Sequence, residues 1–417
     1  MRAFRTISTT VATSVLVSAC AVLGEAPVDR PSPDSTDTAA LAAGLNDAGY
    51  RMFHAAAESS DEDVVLSPLS IGLAFGVLDV GATEDLAMRL EELFGYPVEG
   101  EARWSAFNTL EQSLTQEGNP PGDDQPMTPT LRIANRAFQD TDFEPLEEYN
   151  ELLETWFGSG TETLRLQDDP EGSRTTINEW VSARTSNLIP ELLAPDAITA
   201  DTVMILVNTL YMKAAWQTPF EDFATSDADF TFVDGTTASV PLMHNDGLWA
   251  SAYAGDGYAA IDLPYYGDDI SMLVIAPDAG NYAAIEALLN TDFVAQVDRE
   301  LEGQSVDFYL PRFESTADLD LREVIEEQLD IPGVFDVMQL GGIHPEAYVS
   351  AAIHSAKIIV DEVGTEAAAA TAIAIDAGSA MPESPLLIRV DRPFLYVIRD
   401  HDTGAVLFVG RVLDPRA

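Results

Sequence analysis

The stretch from Glu362 to Met381 reads Glu-Val-Gly-Thr-Glu-Ala-Ala-Ala-Ala-Thr-Ala-Ile-Ala-Ile-Asp-Ala-Gly-Ser-Ala-Met, and it satisfies two secondary structures at once. By propensity, Thr365–Ile375 is a helix, because alanine is the best helix former and Thr365 can cap it. By alternation it is a strand. Thr365, Ala367, Ala369, Thr371, Ile373, Ile375 and Ala377 make one uncharged face, and Glu366 and Asp376 both fall on the other. Such a face can be buried. Proline is absent until Pro382, so nothing stops this strand from pairing on both edges. Any fold for this chain must accommodate a segment that is sound in either state.

No disulfide can staple that fold, since Cys20 is the single cysteine. The chain has 417 residues, 46% of them hydrophobic, enough to bury a sizeable core unaided. Cys20 has a different context. Arg2 and Arg5 precede an apolar stretch, Val11 to Val17, which runs into Val17-Ser18-Ala19-Cys20. This is the layout of a secretory signal and is similar to the lipobox of bacterial lipoproteins. The resemblance implies removal of residues 1–19, lipid attachment at Cys20, and an exported protein anchored to the cell envelope, on its periplasmic or extracellular face. The apolar stretch is too short to span a bilayer, so membrane contact is expected through the lipid alone. Residues 20–44, with Pro27, Pro31 and Pro33 among small and polar residues, read as a flexible tether. Residues 45–417 form one large domain.

The formal net charge of −49 argues against nucleic acid, heparin-like polymers and anionic lipid as partners, each of which needs basic patches. Only two lysines occur, Lys213 and Lys357. No G-x-S-x-G elbow, G-x-x-x-x-G-K-[ST] loop or H-E-x-x-H pair is present. The five histidines, His54, His244, His344, His354 and His401, include no two at helical metal-ligand spacing. Asp227 to Gly235 loosely resembles a calcium loop but lacks the distal glutamate. Neither a cofactor nor a metal is expected, and the chain does not read as an enzyme.

Along the domain, apolar residues at helical spacing predict a helix over 45–58. Asp63–Leu66 predicts a short strand. Ser67 and Pro68 predict a capped helix that is apolar nearly all round through Val80. Thr83 caps the next helix, with Gly95 past its end. Residues 116–129 read as a surface loop. Strands are expected at Val203–Tyr211, Ser271–Ala276, Val306–Leu310, Phe394–Ile398 and Ala405–Val409. The class is α+β.

Several of these segments, in order, resemble the signatures of one family. Val65-Leu-Ser-Pro-Leu-Ser-Ile71, Ile177-Asn-Glu-Trp-Val181, Leu206-Val-Asn-Thr-Leu-Tyr-Met-Lys-Ala-Ala-Trp216, Leu263-Pro-Tyr265 with Ser271-Met272, Leu310-Pro-Arg-Phe313, and Arg392-Pro-Phe394 through Leu407-Phe-Val-Gly-Arg-Val412 are similar to those of serpins. Glu362, Gly364, Thr365, Glu366, Ala367, Ala368, Ala369, Ala370 and Thr371 are similar to the hinge of inhibitory serpins. Val363, where the family often carries a charge, and Ser355 beside His354 are departures. The resemblance spans roughly residues 45–417. It implies large mixed β-sheets, a cluster of helices and an exposed reactive-centre loop. It also implies suicide inhibition: a serine protease cuts the loop, and the acyl-enzyme is carried off as the freed loop inserts in the main sheet, a property of the family.

The family's spacing from Glu362 puts the cut between Gly378 and Ser379, with Ala377-Gly378 and Ala380-Met381 as alternatives. Glycine suits shallow pockets, so an elastase-like or subtilisin-like protease is expected; cysteine proteases, which also form acyl-enzymes, are a further class. Ser67, Ser70, Asn208 and His354 match the family's shutter beneath the opening sheet; by themselves they read as a helix cap and satisfied buried polar groups. Trp216 reads as a packing residue. A monomer is expected. The competing reading is a non-inhibitory surface binding protein with the same fold.

Overall fold

The computed structural model describes residues 30–416 except 120–126, 159, 268, 337–338 and 366–383. The helices are α1 (Thr38–Glu58), α2 (Pro68–Asp79), α3 (Glu84–Phe94), α4 (Glu101–Leu114), α5 (Glu147–Phe157), α6 (Pro170–Arg184), α7 (Tyr282–Glu286) and α8 (Thr291–Glu300). The early strands are β1 (Val64–Leu66), β2 (Thr130–Asp140), β3 (Glu162–Leu164), β4 (Met204–Ala215), β5 (Ser226–Thr231), β6 (Thr237–Ala254), β7 (Tyr258–Pro264) and β8 (Ile270–Pro277). The later ones are β9 (Glu302–Pro311), β10 (Phe313–Asp320), β11 (Ala351–Val360), β12 (Gly364–Thr365), β13 (Leu386–Arg389), β14 (Phe394–Asp400) and β15 (Val406–Val412).

Among the described residues these strands form two mixed sheets. The larger runs β1-β15-β14-β8-β7-β6-β9-β13, with β5 also paired to β6; the smaller runs β10-β11-β12-β4-β2-β3. α2 packs behind the smaller sheet and is buried along its whole length. The Ser67 side chain accepts the Ser70 amide, and Pro68 opens the helix where no amide is needed. α3 starts as its sequence predicts, with Thr83 accepting the Leu86 amide, and ends on Gly95 in the left-handed conformation.

β4 is the central strand and serves two cores. Leu206, Leu210, Met212 and Ala214 enter the main core with α1 and α2. Ile205 and Val207, on the opposite face, join Ile177 and Val181 of α6 in a smaller core. A strand covered on both faces reads as a continuous apolar run rather than an alternation.

Two expectations need correction at the N-terminal end. α1 begins at Thr38, not 45, because Leu41 and Ala42 are buried in line with Leu45 and Ala48, extending the helical stripe by a turn. The preceding residues, expected to be tether, pack on the body. The Arg30 guanidinium donates to Asn108 Oδ1 (2.9 Å), to Glu111 (2.8 Å) and to the Trp156 carbonyl (2.8 Å). Asn108 and Gln112 donate to the Pro31 carbonyl, at 3.0 Å each. From residue 30 onward the segment therefore bridges α4 and α5. Cys20 lies outside the described residues.

Candidate functional site at the opening of the six-stranded sheet

β4 and β11 are parallel neighbours at one end only. Ala351–Ser355 pair in register with Ile205–Thr209. Beyond Ser355 and Thr209 the strands part, and at the far end the two residues of β12 stand between them. Thr365 lies opposite Ala214 on one side and Val360 on the other, antiparallel to both. Among the described residues no ladder joins 210–213 to 356–359. The sheet is thus closed at one end, wedged at the other, and open between.

The wedge is tightly fixed. Gly364 is required there by close approach: a Cβ would lie 2.0 Å from the Ala214 carbonyl oxygen and 2.8 Å from the Ala215 Cα. Asp361 Oδ1 accepts the amides of Val363 (2.9 Å) and Gly364 (3.1 Å), which shapes the turn into β12. The Trp216 amide donates to the Val363 carbonyl (2.8 Å), the Phe220 amide to that of Glu362 (2.9 Å), and the Trp216 indole to that of Asp361 (3.0 Å). Tyr265 stacks on Trp216 with centroids 4.5 Å apart and shares a 2.6 Å hydrogen bond with the Thr365 hydroxyl. Thr365 is 1% exposed and faces the same core as Ala214, the side to which the uncharged odd positions of the segment were assigned. Burial pushes the Tyr265 phenol up, so it keeps its proton and its hydrogen-bonding capacity.

Glu362 sits beneath this turn with a side chain 4% exposed. Arg312 Nε lies 2.7 Å from both of its carboxylate oxygens, and the Thr225 hydroxyl donates to one at 2.5 Å. Burial disfavours the carboxylate, but the Arg312 and Thr225 hydrogen bonds outweigh it and hold the group below its ordinary range.

The closed end carries a second polar cluster. Asn208 and His354 are register partners, with His354 Nδ1 2.6 Å from Asn208 Oδ1. His354 Nε2 receives the Ser67 backbone amide at 3.0 Å, so Nε2 is the acceptor and Nδ1 carries the proton. The Asn208 amide group donates to the Ser70 hydroxyl (2.6 Å) and to Asn135 Oδ1 on β2 (2.5 Å). Burial drives the His354 pKa down to about 3, which keeps the ring neutral. One network therefore links β2, β4, β11 and the start of α2.

Of the residues singled out in the sequence, Glu362, Gly364 and Thr365 gather at the wedge, and Ser67, Ser70, Asn208 and His354 at the closed end. Glu366 to Thr371, Ala377, Gly378, Ser379 and Ala380 lie outside the described residues. Sequence reasoning did not single out Arg312, Thr225, Tyr265 or Asn135, and it assigned Trp216 to packing alone. Arg312 and Tyr265 do fall inside quoted signatures, Leu310–Phe313 and Leu263–Tyr265, which was the available signal. Among the described residues no group of three or more His, Cys, Asp and Glu side chains could hold a metal ion, and no helix is long and apolar enough to cross a membrane.

This geometry has recognisable relatives. Antithrombin-III of Homo sapiens is 32% identical over 377 residues, covering 87% of this chain and 79% of its own. The native-state structure of the thermophilic serpin tengpin superposes with a TM-score of 0.79 at 22% identity, covering 93% of this chain and 97% of its own. A thyroxine-binding globulin in complex with thyroxine gives a TM-score of 0.76 at 22% identity, covering 90% of this chain and 99% of its own. The profile of the family described as serpin (serine protease inhibitor) matches residues 43–415, and the chain belongs to that family.

Proposed function

We propose that this protein is a suicide inhibitor of serine proteases, cut at Gly378-Ser379 and trapping the acyl-enzyme by insertion of the freed loop between β4 and β11. The observation that carries the reading is Thr365, already paired on both edges and facing the core at the mouth of the opening. In the chemical step the protease serine oxygen bonds to the Gly378 carbonyl carbon. The bond to the Ser379 nitrogen breaks, and the protease histidine passes the serine's proton to the departing amine. Residues up to Gly378 are then an ester on the protease.

The register defines the path. Each step along the loop from Thr365 moves one residue back along both flanks. Ala367 arrives between Met212 and Ile358, and Ala369 between Leu210 and Ala356. These flanking side chains are already buried, so the arrivals must be small. Ile373 arrives between Leu206 and Ala352, where burial adds about 2 kcal/mol. In this register Thr371 would enter between Asn208 and His354, which are now paired, so its insertion must break the network at the closed end. On this reading Ser67, Ser70, Asn208 and His354 act as a releasable clasp.

An elastase-like or subtilisin-like enzyme fits the small residue at the cut; Ala377-Gly378 and Ala380-Met381 are the adjacent alternatives, and a cysteine protease would meet the same trap. The N-terminal sequence supports export and lipid attachment at Cys20, with a monomeric body carried on the envelope.

The test is to mix the unlipidated protein (residues 20–417, Cys20→Ser) with pancreatic elastase and with subtilisin. A complex that survives boiling in detergent, with a released peptide starting at Ser379, supports the mechanism and the bond. Clean cleavage without a complex by either enzyme moves a non-inhibitory binding protein ahead.

A further inference from the structure

Phe223 is the most exposed large apolar side chain among the described residues, at 88%. A lone apolar residue on a surface is ordinary, so its meaning lies in how the ring is held and what surrounds it. It is the middle residue of a single 3₁₀ turn, Asp222–Ala224, and both ends of that turn are fixed. On one side Phe220 is buried, and its amide donates to the Glu362 carbonyl at 2.9 Å. On the other, the Thr225 hydroxyl donates to the Glu362 carboxylate at 2.5 Å, and β5 begins at Ser226, paired with Leu242. Inside the turn the Ala224 amide donates to the Glu221 carbonyl at 2.8 Å.

The fold makes no use of the ring: among the described residues no aromatic group stacks on it. An aromatic side chain presented from a turn anchored on both sides has little backbone freedom to lose on contact. Such rings make effective anchors in interfaces.

The surroundings say what kind of partner fits. Glu221 and Asp222 precede the ring, and Asp227 and Asp229 follow it on β5; all four are exposed, and none makes an ion pair among the described residues. Arg312, beneath the turn, is taken by Glu362. Carboxylates gathered without counter-charges, on a chain of net charge −49, repel one another and favour a basic partner. The place says which partner. The turn is bonded to Glu362, three residues before Thr365, and so borders the point where the chain leaves the wedge for the segment that a protease is proposed to cut.

We propose that the Phe223 turn is a second docking surface for the target protease: the ring enters an apolar depression on the enzyme, and Glu221 and Asp222 meet basic residues at its rim. This rests on the inhibitory reading above and narrows its partner to a serine protease with a basic face. The contact speeds encounter and leaves the trap itself unchanged.

The experiment measures the second-order rate of trapping of pancreatic elastase by wild type, Phe223→Ala, the double variant Glu221→Gln/Asp222→Asn, and Met88→Ala, in 50 mM and 1 M NaCl. Met88, 58% exposed on α3, is the control for loss of any exposed apolar side chain. The same series is run on elastase acetylated at its lysines, whose activity on a small peptide substrate is checked first. The melting temperature and the number of inhibitors consumed per protease trapped are followed as controls. Phe223→Ala is expected to slow trapping about five- to tenfold with both controls unchanged. The charge variant is expected to slow it about two- to threefold at 50 mM NaCl and not at 1 M, and to match wild type on acetylated elastase. Met88→Ala should trap at the wild-type rate. A Phe223→Ala rate equal to wild type, or an equal loss in Met88→Ala, overturns the docking surface. A charge effect that survives 1 M NaCl or acetylation overturns the basic rim. A wild-type protein that is cut but never trapped overturns the inhibitory reading itself, whereas normal trapping by wild type and Phe223→Ala alike overturns the Phe223 contact alone.

Discussion

At the residue scale, two buried titratable groups hold the opposite ends of the opening; both are held below their ordinary pKa, but only one of them relies on a partner for its charge state. Glu362 depends on Arg312 for its charge. Arg312→Ala leaves a carboxylate with 4% exposure and only the Thr225 hydroxyl as a side-chain donor. Because the Arg312 side chain is itself 44% exposed, water replaces part of what is lost. The expected cost is about 2–3 kcal/mol, below the full value for breaking a buried pair, read as a lower urea midpoint at pH 7. His354 needs no partner to stay neutral. Its pKa is about 3 in the fold against about 6.5 when unfolded, so between these values the unfolded chain binds the extra proton. Its contribution to stability is complete above pH 6.5 and is lost as pH falls toward 3, by up to about 1.4 kcal/mol per unit. Urea unfolding across that window should show this slope in the wild type, and His354→Gln should lack it. An unchanged slope in the variant would mean that the ring is already hydrated in the native protein.

At the scale of elements, β12 is a strand of two residues held by many contacts from outside it. Thr365→Arg would place a guanidinium in the core beside Ala214 and Val360 at an expected cost of about 3–5 kcal/mol, and it would deny Tyr265 its hydroxyl partner. Cleavage by subtilisin or elastase should proceed at the wild-type rate while the boil-resistant complex falls to a trace; efficient trapping by the variant would dismiss insertion. What could be read of these elements followed from how local each signal is. Ser67-Pro68 and Thr83 with Gly95 mark helix ends because capping acts over three or four residues. The β4 run was legible because a strand buried on both faces needs no partner to declare itself. Arg312 and Glu362, 50 residues apart, and Asn135 and Asn208, 73 apart, meet only through sheet pairing, and no local pattern distinguishes them from surface polar residues. The start of α1 was missed for another reason: Leu41 and Ala42 continue the apolar stripe, but the Pro31 and Pro33 composition of the preceding residues suggested tether. It is Arg30, bonded to residues 78 and 81 positions away, that brings that stretch onto the body.

At the scale of the molecule, the proposed insertion would draw its driving force from the open rows between β4 and β11. In the uncut protein the facing edges of 210–213 and 356–359 lack a shared ladder, and Ala351–Ser355 pair directly with Ile205–Thr209. Filling the opening adds strand hydrogen bonds on both sides at roughly 1 kcal/mol each and buries Ile373 and Ile375 at about 2 kcal/mol each. Over some ten residues the gain is on the order of 10 kcal/mol, after the five existing pairs are exchanged for new ones. No disulfide restrains the change, since Cys20 is the single cysteine. A folded body of the matched span, 43–415, has an unfolding entropy of about 0.8 kcal/mol/K. A gain of that size should therefore raise the melting temperature by about 10 °C once the loop is cut. Calorimetry on the purified protein before and after a single cleavage of the loop by a protease that turns over without being trapped measures this directly. A rise of that order, absent in Thr365→Arg after the same cut, would locate the gain in the inserted strand. An unchanged melting temperature in the cut wild type would mean that the opening beside Thr365 stays empty, and that the fold is used for binding rather than for trapping.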